Sequence, residues 1–206
     1  MDTRVFIISS ARATETQPGK IEGVRRVKTV IRAEELTLSA VSEAMKKAGV
    51  GFNSRAGIIM GVDNAIDSCK AEFYKEFLKD GPKGVSPLIF PYTSPNAITA
   101  QATIAFGIRD TDITITSGAI SFFKAVVYAY ELIKNRELEL VVAGGVSENA
   151  AYAMVLCANE TGFKINSLAE IISCTDAGAV DVADGFLPLQ SIEDSFALMD
   201  NALKAP

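Results

Sequence analysis

Apolar residues come in blocks along this chain, and the period changes from block to block. Arg4 to Ser9 is nearly all apolar after Arg4, as expected of a strand covered on both faces. Glu34 to Ala48 carries an apolar stripe at Leu36, Ala40, Val41, Ala44 and Ala48. Acids open that run, lysines end it and Gly49 follows, which predicts a helix. Ala56 to Val62 reads as a second buried strand, and Ser68 to Leu78 as a helix that stops before Gly81-Pro82. The piece from Val85 to Asn96 holds three prolines and cannot be a continuous helix; an ordered loop packed by Leu88, Ile89 and Phe90 is expected. Asn96 to Phe106 fits a short helix ended by Gly107.

The most informative stretch is Ile113-Thr-Ile-Thr-Ser-Gly-Ala-Ile-Ser-Phe122. Alternating β-branched residues run to a Ser-Gly break, and an apolar-periodic run to Lys134 follows. A third strand over Thr111 to Thr116 that turns sharply into a helix from Ala119 is predicted. Such an elbow lifts one side chain above the end of a sheet, beside a helix N-terminus that stabilises a developing anion. Here that side chain is the methyl of Ala119, which has no atom to attack with. Leu138 to Ala143 reads as a fourth strand ending in Gly144-Gly145. Beyond Val146 the pattern weakens: Ala151 to Ala158 looks packed, Leu168 to Ser173 is a candidate strand, and Ile192 to Ala202 a candidate closing helix.

Strands alternating with crossover-length helices favour parallel pairing under helices on both faces, in one domain spanning residues 1–206. A net charge of -5, with lysines and arginines scattered, gives no footprint for nucleic acid. No apolar run approaches the roughly 20 residues that span a bilayer. The start lacks the form of a secretion signal, and Cys69, Cys157 and Cys174 are odd in number and widely spaced, so a reducing, cytoplasmic setting is expected.

Candidate chemistry is narrow. The 206 residues include no histidine, which removes the commonest general base and the commonest zinc ligand together. Ser117 and Ser121 flank Ala119, but a serine without a base is a poor nucleophile. The cysteines read as small core residues. Gly144-Gly145 permits a tight turn or close packing; a floor beneath an acyl site is the sharper reading. No phosphate-binding glycine loop is present, and no cofactor or metal is expected. Residues 11–33 are polar and rich in cations, including Arg25, Arg26, Lys28 and Arg32; this is either a solvated loop or a docking surface for an acidic partner.

Several segments then match one known pattern in order: Arg4-Val-Phe-Ile-Ile, Leu38 to Ala48, Gly57-Ile-Ile-Met-Gly61, Pro87-Leu-Ile-Phe-Pro91 with Asn96, Phe106-Gly-Ile-Arg, and Leu140-Val-Val-Ala-Gly-Gly. Asp184-Gly-Phe186 is similar to a further DGF element. Together they resemble the N-terminal half of a β-ketoacyl synthase, of the thiolase superfamily. The resemblance implies a thiolase-like three-layer α/β/α domain with a mixed five-stranded sheet. It also implies that the third strand is a sheet edge that pairs with its twin across a homodimer or heterodimer. Ala119 falls where the family has its catalytic cysteine; the family's histidines belong to a second half, and Leu187-Pro-Leu-Gln replaces a glycine-rich segment. The function so implied is that of a non-catalytic subunit, inactive by itself, assisting a partner synthase and an acyl carrier protein in fatty-acid or polyketide-type chain assembly. An acyltransferase with another nucleophile, and a structural or acyl-thioester-binding protein, are the alternatives.

Overall fold

The structure is a computed structural model and describes residues 3–15, 31–51, 55–158, 169–171 and 191–204. In chain order the elements are β1 (Val5–Ala13), α1 (Arg32–Ala48), β2 (Gly57–Val62), α2 (Asp67–Asp80), α3 (Asn96–Phe106) and β3 (Asp112–Ile115). They continue with α4 (Ser121–Lys134), β4 (Leu140–Val146), β5 (Ala151–Ala158), β6 (Ala169–Ile171) and α5 (Ile192–Lys204). Short 3-10 turns lie at Gly81–Lys83, Phe90–Thr93 and Gly118–Ile120.

One mixed sheet runs in the order β3-β2-β4-β5-β1-β6. β2 is parallel to both β3 and β4, while β5 is antiparallel to β4 and β1, and β6 antiparallel to β1. Among the described residues the sheet therefore has six strands rather than the expected five. The strand missing from the sequence reading is β5, whose eight residues are all buried. Ala-Tyr-Ala-Met-Val-Leu-Cys-Ala has no polar alternation because both faces are covered, so its period is invisible in the sequence. β1 also runs on past Ser9 to Ala13, with an irregularity between Ile7 and Ser9 where it pairs with β5.

Helices cover both faces, which makes three layers. α1 and α3 press Leu36, Val41, Met45, Ile98 and Phe106 onto Ile58, Met60, Val142 and Val155. On the other face α4 and α5 press Phe122, Val126, Ile133 and Phe196 onto Ile59, Val141, Tyr152 and Met154. Ile58 and Ile59 are neighbours in β2 yet belong to opposite layers, as the pleat requires. Each such side chain, fully buried, contributes roughly 1.5–3 kcal/mol. α1 ends as its sequence foretold: Gly49 takes a left-handed φ of 68° and its N–H reaches the carbonyls of Met45 and Lys46. Among the described residues no helix is long and apolar enough to cross a membrane.

Candidate functional site

The C-terminal ends of β3, β2 and β4 lie together, because these three strands are parallel neighbours. The elbow after β3 rises at this end. Ser117 is extended in φ (-145°), Gly118 sits at φ 61°, and a single 3-10 turn over Gly118–Ile120 precedes α4. The left-handed φ is the reason for glycine at 118: a Cβ there has open space but an unfavourable backbone. The helix expected from Ala119 thus starts two residues later, at Ser121.

Ser121 is buried and works as the internal brace of the turn. Its Oγ accepts the Ser117 N–H at 2.7 Å and lies 2.7 Å from the Gly118 carbonyl, to which it donates; the Val62 carbonyl is farther, at 3.4 Å. The hydroxyl is committed to the backbone, with no described base beside it to draw off its proton. Directly beneath, β2 passes so close that a Cβ on Gly61 would strike the backbone of Ser121 and come within 2.6 Å of the Phe122 nitrogen. Only glycine lets the start of α4 rest on the strand.

The second wall of the elbow comes from α5, far away in sequence. Ser195 is fully buried and its Oγ donates to the Ala119 carbonyl at 2.9 Å. Phe196 packs edge-on against Phe122 at 5.2 Å between ring centres and stacks on Tyr152 at 5.6 Å. Gly145 makes room for this: a Cβ there would stand 2.8 Å from Phe196 and 2.9 Å from Phe122. Gly144 faces the other layer, where a Cβ would meet Met60 Sδ at 2.7 Å. The pair lies inside β4, not after it, and only Gly145 looks toward the elbow. Sequence reading had no signal for Ser195 and Phe196; the Gly57–Gly61 spacing was a visible but mute sign of the tight approach.

Carboxylates rim the same end of the sheet. Asp63, just past β2, has its carboxyl pushed up by burial first and by the charge of Glu193 second. Glu193 in turn hydrogen-bonds Ser147, whose Oγ also accepts the N–H groups of Asn149 (3.1 Å) and Ala150 (3.0 Å). Ala119 is half-buried and presents a methyl group in this setting. Among the described residues no cluster of three or more acidic or sulfur ligands could hold a metal ion. Cys157 is buried in β5; Cys69 is half-buried on α2, its thiol pushed up by burial and then by Glu34 and Glu72. Cys174 and the 184–186 element lie outside the described residues.

β3 is the terminal strand of the sheet, as expected, with β2 on one side and no described strand on the other. Its Thr114 hydroxyl meets that of Thr99 on α3 at 2.5 Å. Of the cationic stretch, Arg25, Arg26 and Lys28 lie outside the described residues. Arg32 is exposed at the start of α1 and donates to the Thr14 carbonyl at 2.9 Å.

The family model for the beta-ketoacyl synthase N-terminal domain matches residues 8–187 of this chain. Nodulation protein E of Rhizobium sp. (strain N33) is 24% identical over 135 residues, which cover 64% of this chain and 34% of that protein. The 3-oxoacyl-(acyl-carrier-protein) synthase 2 of Staphylococcus aureus is 21% identical over 175 residues, 83% of this chain and 40% of the relative. This chain thus spans well under half the length of those curated relatives. Among solved structures, the ishigamide ketosynthase/chain length factor superposes with a TM-score of 0.68 at 13% identity, covering 83% of this chain and 62% of that one. The fold is shared with it although few side chains are. This chain belongs to the beta-ketoacyl synthase N-terminal domain family.

Proposed function

We propose that this member of the beta-ketoacyl synthase N-terminal domain family is a non-catalytic subunit. In this reading residues 1–206 form one synthase-like domain that assists a partner synthase in fatty-acid or polyketide-type chain assembly in the cytoplasm. The observation that carries it is the elbow: a strand, a left-handed glycine and a helix start, with only the Ala119 methyl at the position where the resemblance puts the family's cysteine. A carbon–hydrogen bond cannot deliver the thiolate that accepts an acyl group, and the 206 residues supply no imidazole to stabilise the enolate and oxyanion of a condensation. Fold likeness to the ishigamide ketosynthase/chain length factor supports the same assignment.

An acyltransferase using another nucleophile finds no support at the elbow, because the Ser121 hydroxyl is held by Ser117 and Gly118. Gly145 and the carboxylate rim then shape the end of the sheet rather than perform chemistry. The β3 edge, half-buried and uncharged after Asp112, is the proposed seam with the partner. Arg25, Arg26, Lys28 and Arg32 form the proposed contact for an acidic carrier protein, weak and salt-sensitive.

The direct test is intact-mass analysis of the purified chain after incubation with acyl thioesters, together with a decarboxylative condensation assay. No adduct at residue 119 and no condensation are expected, and Ala119→Cys alone should restore little turnover. Substantial condensation by the unmodified chain would overturn the proposal.

A further inference from the structure

α5 is lightly held beside the helices that carry the two layers. α1 buries nine of its 17 residues and α4 seven of 14, but α5 only three of 13. Those three, Ile192, Ser195 and Phe196, lie in its first five positions, and Met199 and Leu203 follow only partly covered. Its chief neighbour is the Gly118–Ile120 turn, ahead of α4 and β4, so it grips the elbow more than the sheet. The family match ends at residue 187, before this helix begins. Thirteen residues make a marginal helix in water by themselves, although Ser191 and Asp194 cap this one reciprocally, N–H to side chain, at 3.0 and 3.3 Å. An undocked α5 therefore unwinds.

We propose that α5 is a strap that releases from the elbow and redocks as a unit while the sheet stays folded. Opposed forces meet on it. Holding it down are the Phe196 ring on Phe122 and Tyr152, the Ser195 hydroxyl on the Ala119 carbonyl, and the Tyr152 hydroxyl on Asp200. Arg12 adds a loose ion pair to Asp200 at 3.9 Å and lies 6.0 Å over the Phe196 ring. Against it works like charge at its first turn. Docking sets Glu193 beside Asp63 and Asp67; burial and then these charges push the Asp63 carboxyl up, although the Ile192 N–H donates to it. A segment with few buried contacts opens at lower cost than the whole domain. Release strips the Phe122 and Tyr152 rings of their Phe196 cover and frees the Ala119 carbonyl. The strap thus governs whether the apolar floor beside the elbow is reachable. The inference goes beyond the functional reading and holds whether or not the subunit serves a synthase.

Hydrogen exchange of the full 206-residue chain at neutral pH, read by peptide mass, tests it. Amides across all of α5 should exchange together, about 10-fold or more faster than those of β4 and β5 yet slower than an unfolded chain. Dilute urea should speed β4 and β5 more than α5, because release exposes little surface. Ser195→Ala should speed α5 alone, by about 3-fold or more. Asp63→Asn keeps an acceptor for the Ile192 N–H and removes a charge, so it should slow α5 by about 3-fold. The unmodified chain decides release whether or not either variant folds. Exchange of α5 in step with β4 and β5, no protection of α5 at all, or a gradient that frays inward from Lys204 while residues 192–196 stay as slow as the sheet each overturns the proposal. So does an Asp63→Asn chain, folded in its sheet, whose α5 exchanges as fast as before or faster.

Discussion

Among the described residues two aromatic clusters stand apart, and the chain treats them in opposite ways. Phe122, Tyr152 and Phe196 meet between the sheet and the α4–α5 layer, with ring centres 5.2–5.6 Å apart and no exposure. Phe73 and Tyr74 on α2 meet Phe90 on the turn that follows, at 5.9–6.1 Å, with Tyr74 and Phe90 mostly in water. The local chemistry is alike; the surroundings are not. The first cluster has a backbone behind it, made accessible by the missing side chain of Gly145, and α5 closing over it. The second has only α2 and the turns at Gly81–Lys83 and Phe90–Thr93 around it. Apolar content alone does not tell a core from an interface, because burial depends on which element arrives from elsewhere.

Removing the closing ring should separate the two clusters most sharply. Phe196→Ala deletes a fully buried ring and is expected to cost about 3–5 kcal/mol in urea unfolding. A loss below about 1 kcal/mol would mean α5 is not part of the folding unit, and the comparison would break.

The second probe is alkaline pH. Burial, with the Asp200 carboxylate that accepts the Tyr152 hydroxyl at 2.9 Å, outweighs a hydrogen bond from Ser10 and pushes the phenol up to about 12. The unfolded chain ionises this tyrosine near its ordinary value of 10.0 while the folded one keeps the proton. Stability linked to Tyr152 is therefore whole below about pH 10 and is lost as pH rises toward about 12, by on the order of 2 kcal/mol. Unfolding curves across this window should show the decline, and Tyr152→Phe should flatten it. An equal slope in both proteins would place the ionisation elsewhere.

The smallest effect belongs to α2. Leu78→Glu should leave the unfolding free energy of the isolated subunit within about 0.5 kcal/mol, because its side chain touches mostly water. Urea unfolding of the two proteins side by side checks this. A large destabilisation would show that this face of α2 is packed within the subunit.

Wherever one face of an element meets water or a cap is needed, the sequence was readable. α1 announced itself through its stripe, its terminal charges and Gly49. The β3–α4 elbow was legible because Ser117-Gly118 breaks an alternating strand just where a helical run begins. β5 was not legible, although it is the strand that joins β4 to β1, because burial on both faces erased its period. Of the elbow's surroundings, Ser117, Gly118, Ala119 and Ser121 could be named from the sequence, but not the way Ser121 braces the turn.

By itself the sequence determined the alternation of strands and helices, the place of the elbow and the kind of atom it carries, since these follow from local periods, glycine dihedrals and side-chain chemistry. Only the tertiary structure decided what closes on that elbow. Ser195 stands 76 positions from Ala119, and Gly61 lies 60 positions before Ser121. No local pattern connects such pairs; close packing of α4 and α5 on the sheet brings them together.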